Sequence, residues 1–196
     1  MEVPQRRGDP VLVESDQGVR PDSTPETLAR LRPVTPGGTV TAGNAAQQND
    51  AAAACLVVAE DQLAALGLEP SGYLGGWAAA GCDPSRMGFG PVPAVARLAA
   101  RTGTDTRSLL DQMDLVELNE AFAVQVLAVL EGWGWHDQDR LNVNGSGISL
   151  GHPIGATGMR MVTTLLHELR RRGGGQGLVT MCVGGGQGLA ATIEAA

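Results

Sequence analysis

From residue 71 to the end of the chain, segments that favour strands alternate with segments that favour helices. Strand signals occur at 71–81 ("SGYLGGWAAAG"), at 114–117, and in "QGLVTMCVGGGQGLAATIEA", where two apolar runs around a glycine turn predict a hairpin. Helices are expected at about 92–103, at 120–133, and in the segment "ATGMRMVTTLLHELRRRG" that ends at Gly173. This alternation is typical of an α/β layered structure.

Before residue 71 the sequence changes character. Prolines punctuate residues 1–40, which predicts loops and one short helix with Thr24 as N-cap and Pro25 in its first turn. "TVTAGN" at 39–44 is expected to be a short strand or strand end. "DAAAACLVVAEDQLAAL" at 50–66 predicts a helix because alanine fills it and a glycine follows it. Its near-continuous apolar first half indicates burial, with Cys55 in the core.

Composition excludes several classes of function. The formal net charge of −7 argues against a basic nucleic-acid-binding face. No apolar run approaches the roughly 20 residues of a membrane helix, so we expect neither a nucleic-acid nor a membrane partner. Three widely spaced cysteines indicate a reduced, cytoplasmic chain without disulfides. Neither they nor the three histidines have zinc-ligand spacing, so no metal site is expected: Cys55, Cys82, Cys182, His136, His152 and His167.

His152 lies in "LGHPIGATG" (150–158), between a predicted strand and a predicted helix. Glycines let the backbone approach a ligand closely, and a helix start offers N–H groups and a positive dipole end. A histidine there could bind an anion, activate a thiol or polarise a carbonyl. The alternative is a loop histidine that is hydrogen-bonded to its neighbours. Proline and glycine on both sides favour the functional interpretation.

Cys182 opens "CVGGGQG" (182–188) at the end of an apolar strand. A glycine turn can expose backbone N–H groups and form an oxyanion hole. The cysteine is then a nucleophile or a proton donor, since a thiol beside an imidazole can ionise. The alternative is a small core residue. The neighbouring motif around His152 favours function.

Asn119, in "LNEAFA" (118–123), lies at a predicted strand-to-helix junction. Asparagine is a good helix cap, and this is its plainest interpretation. The functional alternative is an amide that holds a water or orients an imidazole. Cys82 lies in the turn "GCDPSR", where it could be exposed, but no nearby group would activate it.

Together these motifs resemble the thiolase family. The resemblance follows the family's order over nearly the whole chain and is carried by "TVTAGN" with "NDAAAA", "MGFGPVPA", "LVELNEAFA", "NVNGSGISLGHPIGATG" and "CVGGGQG". It implies an α/β fold: a layered α-β-α C-terminal domain with a mixed sheet at 71–196. A remnant of the loop domain that covers coenzyme A (CoA), at 1–48, and a helix of the N-terminal core half, within 49–70, would precede it.

Thiolases interconvert a 3-ketoacyl-CoA plus CoA with a shortened acyl-CoA plus acetyl-CoA, using two cysteines. By motif, the resemblance makes Cys182 the general acid and base. His152 would activate the nucleophile and help to bind the thioester oxygen. Asn119 would hold a water at that oxyanion site, and the N–H of Gly184 would serve a second one. No cofactor is implied, because CoA is a substrate.

The resemblance also suggests residues that contact CoA or the acyl chain. Arg20 falls where the family has an arginine near the nucleotide end of CoA, and Thr27 falls where a serine is usual. Ala46 replaces a serine that contacts CoA. Met87 and Phe122 fall near the tunnel for the acyl chain and pantetheine.

One family motif is absent from this sequence. The nucleophilic cysteine of thiolases lies in a motif like C-[SA]-S-G, and neither Cys55 nor Cys82 has that context. We therefore expect the C-terminal half of a thiolase, with apolar surface that calls for a partner, either the N-terminal half or a second copy. Alone it should be inactive. The alternatives are a truncated or split-subunit CoA-binding protein and, more remotely, a Cys–His–Asn hydrolase.

Overall fold

The computed structural model describes residues 1–196, which form two compact units, Met1–Arg30 and Leu31–Ala196. The first unit contains an antiparallel pair of short strands, β1 (Glu2–Val3) and β2 (Val11–Leu12), and the helix α1 (Pro25–Ala29). Thr24 and Thr27 cap this helix reciprocally, each hydroxyl oxygen accepting from the other's backbone N–H. The predicted short helix is confirmed, whereas the strand pair was not predicted.

The second unit is built on a four-stranded mixed sheet. Its order is β3-β6-β5-β4, with β4 parallel to β5 and the other pairs antiparallel. The strands are β3 (Gly72–Gly81), β4 (Leu115–Leu118), β5 (Gly175–Val183) and β6 (Gln187–Ala195). The predicted C-terminal hairpin is confirmed as β5–β6, and the glycine-containing segment at 71–81 is indeed a strand.

The second unit also contains six α-helices. They are α2 (Leu63–Leu66), α3 (Pro91–Arg101), α4 (Thr106–Gln112), α5 (Ala123–Trp133), α6 (Gly147–Leu150) and α7 (Thr157–Arg171), with 3₁₀ turns at Glu60–Gln62 and Pro84–Phe89. The helix α4 was not predicted, although Asp105 accepts from the backbone N–H of Ser108 at its start. None of these helices has the length and apolar character of a membrane span.

Two separate cores lie on opposite faces of the sheet. One packs α3, α4 and α5 against the sheet through residues such as Leu98, Leu110 and Trp133. The other packs Met161, Leu165 and Leu169 of α7. These three follow each other at four-residue spacing, so they form one stripe along the helix. The α-β-α layering predicted for this part of the chain is therefore confirmed.

The helix predicted at 50–66 is wrong for most of its length. The chain runs without regular structure to Ala59, and only the 3₁₀ turn and α2 are helical. Leu56 and Val57 are 77% and 82% exposed, and Cys55 is exposed rather than in a core. Helices in proteins are stabilised mainly by packing an apolar face. No element of this chain covers the segment, so propensity alone does not hold the helix.

Three further predictions need correction. "TVTAGN" forms no strand, and regular pairing nearby is limited to an isolated bridge between Ala45 and Phe122. The strand predicted before His152, at the start of "LNVNGSG", reduces to one bridge, between Leu141 and Val116. The helix predicted from residue 120 begins instead at Ala123.

Candidate functional site

Asn119 directly follows β4. Its backbone N–H donates to the carbonyl of Thr180 on β5, at 3.1 Å. The residue is not the predicted helix cap, because α5 begins at Ala123 with Phe122 as its cap. Its side chain is fully buried, and neither Nδ2 nor Oδ1 has a hydrogen-bond partner within the protein. A buried polar group of this kind is suited to a bound water or ligand rather than to packing.

Cys182 lies one residue before the end of β5. Alternation along the strand places its side chain on the same face as Leu178, which belongs to the core beneath α3 and α5. Burial raises the pKa of the Cys182 thiol, and the Cys82 thiol adds to the effect. The thiol is therefore protonated at neutral pH. That state suits a proton donor and does not suit a resting nucleophile.

The turn after Cys182 requires glycine. Gly185 and Gly186 adopt φ values of 88° and 89°, a region that side-chain-bearing residues rarely occupy. The carbonyl of Gly186 accepts from the backbone N–H of Cys82, at 2.8 Å, which ties this turn to the end of β3. Beside Gly184 the space is open, because a Cβ built there would meet nothing within 4 Å. A ligand can therefore approach the backbone at this point.

Hydrogen bonds hold both the backbone and the side chain of His152. Its backbone N–H donates to the carbonyl of Gln47, at 2.8 Å, and to Oδ1 of Asn49, at 3.2 Å. Its ring Nδ1 lies 2.7 Å from Oγ1 of Thr157. Burial lowers the pKa of His152, and the positive charge of Arg160 lowers it further. The imidazole is therefore neutral at pH 7, and Nδ1 is the ring nitrogen already engaged.

An open cavity of about 340 Å³ lies against His152. It is lined by Gln48, Asn49, Asp50, His152 and Ile154. Its far wall thus comes from the segment that follows "TVTAGN", and the hydrogen bonds to the His152 backbone hold that segment in place.

Two of the predicted catalytic residues lie at one edge of the sheet. Asn119 follows β4 and Cys182 ends the parallel strand β5, so both lie at the carboxyl edge of this pair. At the start of α7, a Cβ on Gly158 would lie 3.7 Å from the sulfur of Met181. The helix that follows the His152 loop therefore starts against the end of β5. Ligands of α/β proteins bind at such carboxyl edges.

Sequence reasoning missed a buried ion pair beside this edge. Oε2 of Glu117 lies 3.3 Å from Nη1 of Arg160, and the Glu117 side chain is 3% exposed. Burial raises the pKa of Glu117 to about 7, although Arg160 opposes the shift. Nε and Nη2 of Arg160 are buried without a partner. The available signal was a carboxylate inside an apolar strand, "LVEL", which calls for a buried cation.

Glu120 and Asn142 fix the loop that leads to α6. Nδ2 of Asn142 donates to the carbonyl of Leu118, at 2.9 Å, and to Glu120, at 3.3 Å. The other carboxylate oxygen of Glu120 accepts from the backbone N–H of Ile148, at 3.2 Å. The loop after residue 142 is thereby tied to the end of β4, which Asn119 directly follows.

The residues predicted to contact CoA fall into two groups. Ala46 and Phe122 are brought together, since the N–H of Ala46 donates to the carbonyl of Ala121 and Ala45 bridges Phe122. Met87 lies partly exposed in the 3₁₀ turn at Pro84–Phe89. Arg20 and Thr27 belong to the first unit, where Thr27 caps α1.

Comparison with known proteins gives a consistent family. The sequence model of the thiolase C-terminal domain matches residues 68–195, and that of the thiolase N-terminal domain matches residues 1–61. The acetyl-CoA acetyltransferase of Chromobacterium violaceum is 47% identical over 193 residues, which cover 98% of this chain and 48% of the relative. The chain thus spans about half the length of the curated relatives it matches.

Solved structures agree. The acetyl-CoA acetyltransferase of Bacillus anthracis superposes with a TM-score of 0.85 at 41% identity, covering 100% of this chain and 48% of that one. Human mitochondrial 3-ketoacyl-CoA thiolase in complex with CoA superposes with a TM-score of 0.82 at 42% identity, covering 94% and 46%. With its layered fold, its motifs at the carboxyl edge of the sheet and these matches, the chain belongs to the thiolase family.

Proposed function

We propose that this chain provides the proton-transfer part of a thiolase-type acyltransferase. The reaction is the interconversion of a 3-ketoacyl-CoA plus CoA with a shortened acyl-CoA plus acetyl-CoA. In the cleavage direction the Cys182 thiol gives its proton to the α-carbon of the departing acetyl-CoA as the carbon–carbon bond breaks. In the condensation direction the thiolate removes that proton.

The observation that carries this proposal is the state of Cys182. It is a buried thiol whose pKa is raised, and it is followed by a glycine turn with open space at Gly184. A general acid must hold its proton until the transition state, and a thiol with a raised pKa does so at neutral pH. A backbone N–H at Gly184 would then stabilise the enolate oxygen beside it.

His152 and Asn119 are proposed to serve the thioester oxygen. The imidazole is neutral and its Nδ1 is already engaged, so Nε2 is the ring atom available to a ligand. The unpaired, fully buried amide of Asn119 is suited to hold a water at the same oxygen. Preorganised donors of this kind stabilise charge as it develops.

CoA itself is the proposed substrate, with no further cofactor. The human relative that superposes on this chain was solved with CoA. We propose that Ala46, Met87 and Phe122 contact the pantetheine or acyl part, whereas contacts of CoA with Arg20 and Thr27, which belong to the first unit, stay a prediction from the resemblance. Because Ala46 lacks a hydroxyl, the backbone would make the contact at that position.

The acyl-accepting thiol is proposed to come from outside these residues. Cys55 is exposed in irregular chain, Cys82 lies in the turn after β3, and neither stands in a C-[SA]-S-G motif. Exposed apolar side chains such as Leu56, Val57 and Trp77 support a partner surface. The partner would be an N-terminal thiolase half, or a second copy of the chain in an oligomer. Without that thiol, thiolysis by this chain alone stays at background.

The test is to reconstitute the complete site. This chain would be co-expressed with the N-terminal half of the Chromobacterium violaceum relative, and cleavage of acetoacetyl-CoA by the purified complex would be followed. We expect turnover that falls about 10²- to 10⁴-fold in Cys182→Ser, the usual contribution of general acid–base catalysis. Cys55→Ser is the matched control and should leave turnover unchanged. A purified complex without turnover, or one indifferent to Cys182→Ser, would overturn the proposal.

A second candidate is a thiolase-like CoA-binding subunit without activity, which the missing nucleophile motif favours. It predicts CoA binding by the complex with no cleavage. A Cys–His–Asn hydrolase is disfavoured, because it needs a Cys182 thiolate and burial opposes ionisation.

A further inference from the structure

Arg160, near the start of α7, is a cation held in a mostly buried site. Its Nη1 lies 3.3 Å from Oε2 of Glu117, and the two side chains are 19% and 3% exposed. Nε and Nη2 of Arg160 are buried without a partner in the chain. Taking a charge out of water costs free energy unless hydrogen bonds replace the water. One ion pair replaces them incompletely, so stability alone does not account for a cation at this position.

Glu117 does not balance the charge of Arg160 over the whole pH range. Burial raises the pKa of Glu117 to about 7, although the charge and the hydrogen bond of Arg160 oppose the shift. The negative charge of Glu120 adds to the rise. Below pH 7 the Glu117 carboxyl is therefore mainly protonated, and the positive charge of Arg160 is left unbalanced. Histidine titrates in this same range of pH.

The first turn of α7 brings this charge close to His152. Oγ1 of Thr157, the first residue of the helix, lies 2.7 Å from Nδ1 of His152. Arg160 follows three residues later, on the same face of the helix. Helical side chains lean towards the N-terminus of their helix, so that of Arg160 leans towards the turn that contacts the ring. Burial lowers the pKa of His152, and the charge of Arg160 lowers it further.

Two other charged groups lie near the ring on the elements that surround it. Asp50, whose carboxylate would favour a charged ring, lines the cavity beside His152 but is exposed, so water screens its charge. Glu120 is engaged with Nδ2 of Asn142 and with the backbone N–H of Ile148. Of these groups, Arg160 is the one whose charge lowers the pKa of His152.

We propose that Arg160 is a positioning residue whose charge keeps the imidazole of His152 uncharged down to mildly acid pH. Glu117 holds the guanidinium in place, and protonation of its carboxyl leaves that charge unbalanced where histidine titrates. An uncharged ring can take up a proton, whereas an imidazolium cannot. Under the proposed function, on which this last step rests, the ring thereby stays able to activate the acyl-accepting thiol.

The test is an NMR titration of the histidine ring protons in the full chain, with His136→Gln and His167→Gln used to assign His152. We expect the wild-type midpoint to lie below the ordinary 6.5. Arg160→Met removes the charge and should move the midpoint up towards 6.5, whereas Arg160→Lys keeps the charge and should leave the midpoint close to the wild-type value. Arg170→Met is the matched control, because Arg170 lies exposed in the last turn of the same helix, and it should leave the midpoint unchanged.

A second comparison covers the case in which Arg160→Met fails to fold because it leaves the buried Glu117 unpaired. Glu117→Gln combined with Arg160→Gln retains two neutral side chains that can hydrogen-bond, and it is compared with Glu117→Gln alone. The double variant should have the higher His152 midpoint. Equal midpoints in this pair, or an unchanged midpoint in folded Arg160→Met, would overturn the proposal.

The titration needs no turnover, so it is independent of the proposed function. In the reconstituted complex, the acid limb of kcat/KM should move to higher pH in Arg160→Met, together with the His152 midpoint. A complex without turnover in which the midpoint still responds to Arg160→Met would support this inference while contradicting the proposed function.

Discussion

Gly90 and Gly188 pack backbone against backbone. A Cβ on Gly188 would overlap the carbonyl group of Gly90, and a Cβ on Gly90 would overlap the carbonyl oxygen of Gln187. "MGFGPVPA" and "CVGGGQG", distant in sequence, therefore meet at one point. Since Gly188 also pairs with Cys182 across β5 and β6, this contact helps to set the position of the Cys182 strand.

Gly188→Ala should lower the free energy of unfolding by about 1–3 kcal/mol, the usual effect of adding a methyl group where no space exists. Urea unfolding would measure it. Gly184→Ala is the control, because a Cβ there meets nothing within 4 Å. The free energy of unfolding of Gly184→Ala should stay within about 0.5 kcal/mol of the wild-type value. Equal effects of the two changes would contradict the backbone contact.

The buried Glu117 carboxyl predicts a pH dependence of stability. Its pKa in the folded chain is raised from 4.5 to about 7, so the folded state keeps the proton that the unfolded state releases. Stability therefore falls as the pH rises from about 4.5 to about 7. Glu117→Gln cannot ionise and should flatten this slope in urea unfolding at a series of pH values. Glu69→Gln, at an exposed site, should leave the slope as in the wild type; a flattened slope in both would point to a different group.

The Asn119 amide is expected to lower the stability of the fold while it serves the proposed activity. This unpaired, buried amide carries a desolvation penalty of about 1–3 kcal/mol. Asn119→Leu removes this penalty at similar volume, so the free energy of unfolding should stay the same or rise while the reconstituted complex loses activity. Asn119→Asp, which buries a carboxyl instead, should destabilise the chain. A strongly destabilised Asn119→Leu would mean that the amide has a structural partner after all.

Much of the fold could be predicted because the local signals agreed with the packing. Glycines bound the strand at 71–81, a glycine turn closes the β5–β6 hairpin, and α7 has an apolar stripe that matches the sheet face it covers. The helix predicted at 50–66 does not form over most of its length, because there the local signal and the packing disagree. Alanine favours a helix locally, but its apolar residues find nothing in this chain to pack against.

The residues of the candidate site also differ in whether the sequence alone indicates them. Cys182, His152 and Asn119 could be predicted as candidates from the sequence because each lies in a motif that glycine or an adjoining strand end makes recognisable. Thr157 and Arg160 were not found, since a threonine at a helix start and an arginine one turn later look ordinary until the fold brings them to His152 and Glu117. Their roles depend on contacts across elements, which residue spacing does not report.

Cys182 is proposed to act as a general acid and base that rests as a thiol. The most direct measurement is the pH dependence of iodoacetamide labelling at Cys182, followed by mass spectrometry, with the exposed Cys55 as internal reference for the reagent. Restricted access of the reagent slows labelling at every pH in the same proportion, so the midpoint, and not the rate, reports the pKa of the thiol. If Cys182 rests as a thiol whose pKa is raised by burial, the midpoint lies above the usual thiol pKa of about 8.5. A midpoint below about 7, as for a thiolate nucleophile activated by an imidazole, would contradict it.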